Sequence, residues 1–172
     1  MKSNKNLVFL GMMGSGKSTI GSLVSKKLNL KFLDIDENIE KELNMKISEI
    51  FEKRGETFFR NLEEKITLRI LSSKNSVISL GGGSFINDKI RKEVVTKNYS
   101  FWLSWNIVTL LNRIKNSKKR PVAYKLSEDS LKSLISKRSK IYAKAEFKIN
   151  CDKLKKSEIV KKILQIYEDN QT

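Results

Sequence analysis

The chain has 172 residues, of which 39% are hydrophobic and 8% aromatic, with a formal net charge of +16. That length suits a single domain burying roughly 70% of the surface of its unfolded form. No apolar run approaches the roughly 18 residues of a bilayer span, so no membrane role is expected. With no histidine and one cysteine, Cys151, there is no internal disulfide, no ligand set for structural zinc, and none of the commonest general base.

The polar start, Met1 to Asn6, lacks the apolar core of an export leader, which points to the cytoplasm. The excess positive charge is mostly lysine scattered along helical stretches without interleaved aromatics. It reads as a solvated surface rather than a nucleic-acid platform. Arginine is scarce, so each one points more sharply than any lysine to a place needing a planar, bidentate donor.

In chain order, Asn6 to Leu10 is a short apolar run ending in glycine, the pattern of a buried parallel strand. Beyond the glycine loop, Ile20, Leu23, Val24 and Leu28 recur at helical spacing, and Asn29 suits the helix end. Lys31 to Ile35 reads as a second strand closing on Asp34-Ile-Asp36, followed by a short helix marked by Ile39 and Leu43. Ser48 suits a helix cap, with Glu49 and Glu52 in the first turn. Over Glu56 to Leu71, Phe59, Leu62, Ile66 and Ile70 form one stripe, with Arg60, Glu63 and Glu64 assigned to the other face. Ser76 to Leu80 is a third strand, broken by Gly81-Gly82-Gly83, and Tyr99 to Leu103 a fourth. Asn106 caps a helix running through Arg113.

Asn116 to Ser127 has no periodicity, is rich in lysine and holds the only proline, Pro121, which predicts a mobile surface loop. Leu131, Leu134, Ile135 and Arg138 ride a further helix, Phe147 to Asn150 is a fifth strand, and Ser157 caps a last helix. Strands alternating with helices predict an α/β fold, a parallel sheet covered on both faces, with ligands beyond the C-terminal strand ends.

Gly11-x-x-x-x-Gly16-Lys17-Ser18, with Gly14 inside it, is a phosphate-binding loop between strand and helix. Its glycines let backbone N–H groups turn inward around phosphate oxygens, Lys17 reaches the terminal phosphates, and Ser18 suits Mg²⁺. Asp34 and Asp36, alternate residues on a strand, would face one cleft, one reaching the metal through water and the other taking a hydrogen bond or proton from a substrate hydroxyl. A solvated strand end with Asp36 as a helix cap is the alternative. Arg60, Arg120 and Arg138 are candidate clamps for a carboxylate or phosphate. Arg113 and Arg120 flank or sit in the lysine-rich loop and are placed to act on ATP on closure.

Taken together, Gly11 to Thr19, Asp34-Ile-Asp36, Phe59-Arg60 with Glu63, Gly81-Gly82-Gly83, Arg120-Pro121 and Lys137-Arg138 with Tyr142 resemble shikimate kinase in order and spacing over nearly the whole chain. The resemblance implies one P-loop kinase domain, residues 1–172. Its fold would be a three-layer α/β/α arrangement around a five-stranded parallel sheet, with a lid at about 115–127. The implied reaction is ATP- and Mg²⁺-dependent phosphorylation of the 3-hydroxyl of shikimate, by a cytoplasmic monomer with no nucleic-acid or membrane partner. In the implied site, Gly14, Ser15, Gly16, Lys17, Ser18 and Thr19 hold the nucleotide, Ser18 and Asp34 the metal, and Asp36 is the candidate base. Arg60 and Arg138 grip the substrate carboxylate beside Gly81, Gly82 and Gly83. Glu63 orients Arg60, Phe51 and Phe59 shape the wall, Arg113 stacks on adenine and Arg120 reaches the phosphates. Val122 and Ala123 after Arg-Pro, and Lys155-Lys156-Ser157 where the family usually carries proline, depart from that pattern. Rival readings are a gluconate or nucleoside monophosphate kinase, or a nucleotide-binding module without catalysis.

Overall fold

A computed structural model describes residues 4–116 and 126–171. Among these, five strands form one parallel sheet in the order β2-β3-β1-β4-β5. They are β1 (Leu7–Leu10), β2 (Lys31–Asp34), β3 (Ser76–Ser79), β4 (Tyr99–Ser104) and β5 (Phe147–Asn150). The helices are α1 (Lys17–Leu28), α2 (Ile35–Leu43), α3 (Ile47–Leu71), α4 (Asp88–Lys97), α5 (Ile107–Lys115), α6 (Glu128–Tyr142) and α7 (Lys156–Asp169).

The central strand shows why the sheet needs cover on both faces, since all four residues of β1 are fully buried. Successive side chains on a strand point to opposite faces. Leu7 and Phe9 therefore pack with Val24 of α1 and Ile159 and Ile163 of α7. Val8 and Leu10 join the second cluster, with Ile66 and Ile70 of α3, Leu110 of α5 and Ile135 of α6. Two apolar layers sandwich the sheet, the three-layer arrangement that its strand-helix alternation predicts.

Several local expectations are corrected. The second strand stops at Asp34, and Asp36 lies in the first turn of α2, not on a strand. Asp34 caps that helix by accepting from the Glu37 N–H at 3.2 Å. Ser48 and Ser157 are not caps, because α3 and α7 begin at Ile47 and Lys156, after Lys46 and Lys155. Lysine has no acceptor, so these starts are secured by half of a capping box. The Glu49 carboxylate accepts from the Lys46 N–H at 2.9 Å, and the Glu158 carboxylate from the Lys155 N–H at 2.7 Å. Within α3 the backbone breaks at Gly55 (φ 80°, ψ 172°), so the stripe from Phe59 to Ile70 belongs to its second segment. Glu63, assigned outward from the pattern, is buried. The 3₁₀ turn Ser84–Ile86 and α4, capped by Asn87, had no counterpart in the pattern reading.

Other expectations hold. Asn29 ends α1 in the left-handed conformation, and the Asn106 side chain accepts from the Thr109 N–H at 2.8 Å. Residues 117–125 of the proposed lid, with Arg120, Pro121, Val122 and Ala123 among them, lie outside the described residues.

Candidate active site

The glycine loop joins β1 to α1 and is stiffened from within. Ser15 N–H donates to the Met12 carbonyl at 3.1 Å. Gly16 adopts φ 89°, a conformation that favours a residue without Cβ. Lys17 Nζ curls back over the loop onto the carbonyls of Gly11 (2.9 Å) and Met12 (3.1 Å). Ser18 Oγ donates to Asp34 Oδ2 at 2.6 Å and lies 3.4 Å from Ser79 Oγ. A hydroxyl and a carboxylate at the open end of a phosphate loop fit Mg²⁺, a hard cation that keeps several waters and takes only one or two carboxylates besides substrate phosphates.

Beside the loop is a cleft of about 240 Å³ lined by Ser15, Gly16, Thr19, Trp105, Arg113 and Lys156, among others. Arg113, the residue expected at adenine, lies here with its guanidinium 3.7 Å from the centre of the Trp105 ring. It also donates to the Gly14 carbonyl at 3.3 Å. Trp105 was missed, and Lys156 was named only as a departure from the family pattern, with no contact assigned to it. Their contribution depends on where β4 ends and α7 begins in space.

The second glycine cluster follows β3 and backs directly onto the first. A Cβ on Gly82 would lie 3.3 Å from the Met13 backbone nitrogen. At Gly81 a Cβ would meet Glu63 Oε1, Asp36 Oδ1 and Ser84 Oγ at 2.7, 2.8 and 2.8 Å, so three polar groups converge where only glycine fits. Around this point Arg60 Nη1 donates to Glu63 Oε2 at 2.7 Å, and Ser84 Oγ donates to Glu63 Oε1 at 2.6 Å. Arg60 also lies over the rings of Phe59 and Phe51, whose centres are 4.5 Å apart. Arg138 Nη1 donates to the Gly82 carbonyl at 3.2 Å, and the Tyr142 hydroxyl donates to the same oxygen. Burial pushes that hydroxyl up to about 12, so it stays a donor at neutral pH.

Arg60, Gly83 and Arg138 line a cleft of about 470 Å³, together with Glu63, Lys137 and apolar residues of α4 and α6. The structure thus brings both predicted clamps to one cavity. Asp36 does not line that cleft; it meets the glycine segment from the Gly81 side. Burial is the main reason its pKa is raised to about 6. The neighbouring Asp34 adds to the rise, and Lys17 opposes it. Although Asp36 sits on a helix, the two aspartates are still close enough to interact. Ser84, which closes the chain from Arg60 through Glu63, was not foreseen; a serine directly after three glycines was the available signal.

The sequence model of the family described as shikimate kinase matches residues 13–168. The chain belongs to the shikimate kinase family. A curated shikimate kinase from Sulfurihydrogenibium sp. is 41% identical over 160 residues, covering 93% of this chain and 96% of the relative. The crystal structure of shikimate kinase from Aquifex aeolicus superposes with a TM-score of 0.86 at 37% identity, covering 96% of this chain and 97% of that one. A shikimate kinase from Acinetobacter baumannii, solved in complex with shikimate, gives a TM-score of 0.91 at 29% identity, over 99% of this chain and 96% of that one. The family match therefore takes in the first glycine loop from Met13 onward, the whole of the second, α2 and the helix carrying Arg138.

Proposed function

We propose that the chain transfers the γ-phosphoryl group of ATP to the 3-hydroxyl of shikimate, as a monomer in the cytoplasm. The observation that carries this reading is the close approach of Gly82 to the Met13 backbone, 3.3 Å from where a Gly82 Cβ would stand, which brings the glycine segment beside the two-arginine cleft up to the phosphate loop. A small anionic polyol held by its carboxylate in that cleft has its hydroxyls turned toward the loop that holds the phosphates.

The work of such an enzyme is mostly positioning and charge stabilisation, because phosphoryl transfer passes through a loose transition state. Arg60, fixed by Glu63, and Arg138 take the carboxylate. Lys17 leaves the carbonyls of Gly11 and Met12 for the β- and γ-phosphates. Asp36 accepts the hydroxyl proton, and a pKa near 6 lets it be ionised at neutral pH while remaining a stronger base than an ordinary aspartate. Ser18 and Asp34 would hold Mg²⁺, which would supply charge neutralisation at the phosphate oxygens. Arg113 takes the base and Arg120, from outside the described residues, the phosphates.

The reading is tested by ADP release with Mg²⁺ and ATP in the presence of shikimate, gluconate or nucleoside monophosphates. Release dependent on shikimate alone is expected. Release with gluconate or a nucleoside monophosphate but none with shikimate overturns the reading in favour of another small-molecule kinase. No turnover with any of them, in protein that binds ATP, favours a non-catalytic module.

A further inference from the structure

Trp105 follows the C-terminal end of β4, and its indole N–H donates to the Ser15 carbonyl at 2.9 Å. Arg113 covers the indole ring and donates to the preceding carbonyl, that of Gly14. Two successive carbonyls of the phosphate loop are thus held by one stacked pair of side chains. No cis peptide occurs among the described residues, and in a planar trans peptide the C=O and N–H point in opposite directions. Holding the Ser15 carbonyl against Trp105 therefore aims the Gly16 N–H away from the indole, and it is through such backbone N–H groups that a phosphate loop gathers an anion. The neighbouring peptides are held separately, the Ser15 N–H by the Met12 carbonyl at 3.1 Å and the Gly16 carbonyl by the Ile20 N–H at 2.9 Å. Ser15 Oγ is buried without a hydrogen-bond partner among the described residues, and nothing lies within 4 Å of where a Gly16 Cβ would stand.

We infer that Trp105 is a positioning residue for the nucleotide, fixing the Ser15–Gly16 peptide through its N–H and backing the Arg113 guanidinium with its ring. The guanidinium then presents its other face to a purine base in the 240 Å³ cleft that both residues line. This inference rests on the nucleotide half of the function proposed above and not on the identity of the second substrate.

The test is calorimetric binding of Mg·ADP without shikimate, with steady-state kinetics alongside. Trp105→Phe keeps an aromatic face but loses the N–H. It should weaken ADP binding by about three- to tenfold, the worth of one hydrogen bond. The KM for ATP should rise in parallel, while the KM for shikimate stays within about twofold. Trp105→Leu, which also loses the cation–π contact, should weaken ADP binding by about a further threefold. Unchanged ADP binding in Trp105→Phe overturns the inference, and so does a rise in both KM values together, which would mark a general structural role. Should the variants not fold, acrylamide quenching of the wild-type protein decides, because Trp102 is only 8% exposed and the accessible emission belongs to Trp105. ADP should shield it saturably; no shielding overturns the inference. Wild-type protein that binds ADP but does not phosphorylate shikimate would sink the proposed function and leave this test standing.

Discussion

Ser84 Oγ donates to one oxygen of the Glu63 carboxylate at 2.6 Å, while the other oxygen receives Arg60 at 2.7 Å. Glu63 is 3% exposed and Arg60 partly open to the cleft, so a buried hydroxyl fixes a buried carboxylate, which in turn fixes a guanidinium aimed at solvent-accessible space. Arg60→Lys would place a point charge where a planar fork is held, and is not conservative here.

Glu63→Gln should therefore raise the KM for shikimate by about tenfold or more, with kcat changed by less than about threefold. Ser84→Ala should give a smaller rise of about three- to fivefold, in keeping with one lost hydrogen bond. The KM for ATP is the control and should not move. A fall in kcat at unchanged KM for shikimate would show that Glu63 serves the chemistry instead of Arg60.

Gly81→Ala puts a methyl group within 2.8 Å of Asp36, Glu63 and Ser84 oxygens at once. The side chains must part to admit it, which misplaces the candidate base and the Arg60 support together. Shikimate-dependent turnover should drop by about a hundredfold, whereas ADP affinity, set at the other glycine loop, should stay within about twofold. Comparable loss at both substrates would contradict the separation of the two half-sites.

Asp36 carries an opposing relation between stability and function. Its folded-state pKa of about 6 lies above the ordinary 3.8, so ionisation at neutral pH costs the folded state on the order of 3 kcal/mol. The folded state binds the proton more tightly than the unfolded chain. The Asp36 contribution is therefore favourable below about pH 4 and is lost as pH rises through about 6. Asp36→Asn should raise the denaturation midpoint at pH 7.5, lose that advantage near pH 4, and lower turnover by about a hundredfold. Turnover within about threefold of wild type would remove Asp36 as the base and leave only positioning.

At the other end of the sheet, Asn6 is buried and ties four segments together without touching either cleft. Its two amide N–H groups are shared among the carbonyls of Leu71 (3.2 Å) and Ser73 (2.7 Å) and Asn98 Oδ1 (2.9 Å). Its oxygen accepts from the Ser76 N–H at 3.0 Å. Asn6→Ala strands these buried groups and should cost about 3 kcal/mol, read as a lower urea midpoint with unchanged KM values at a permissive temperature.

Much of this architecture is legible in the residues alone. An apolar run into Gly11, a lysine at the start of an amphipathic helix and a second glycine run after another apolar stretch locate the sheet's C-terminal edge and the two halves of the site. What was misread has physical causes. Asp34-Ile-Asp36 alternates like a strand, yet an aspartate at a strand end is also a helix cap, and the cap decides where the strand stops. Glu63 looks outward because a lone carboxylate belongs in water; Arg60, one helical turn before it, and Ser84, 21 residues further on, together make its burial tolerable. Ser48 and Ser157 lose their capping role to glutamates one residue further on. Trp105 has no sequence signal at all, since its partner is a carbonyl 90 residues away.

The most direct test of the central claim is a ³¹P-coupled proton spectrum of a reaction containing the protein, ATP, Mg²⁺ and shikimate. A phosphate monoester on carbon 3 of shikimate, formed in step with ADP, is the predicted result. ATP consumed to inorganic phosphate with shikimate unchanged, or an ester on another hydroxyl, would contradict it.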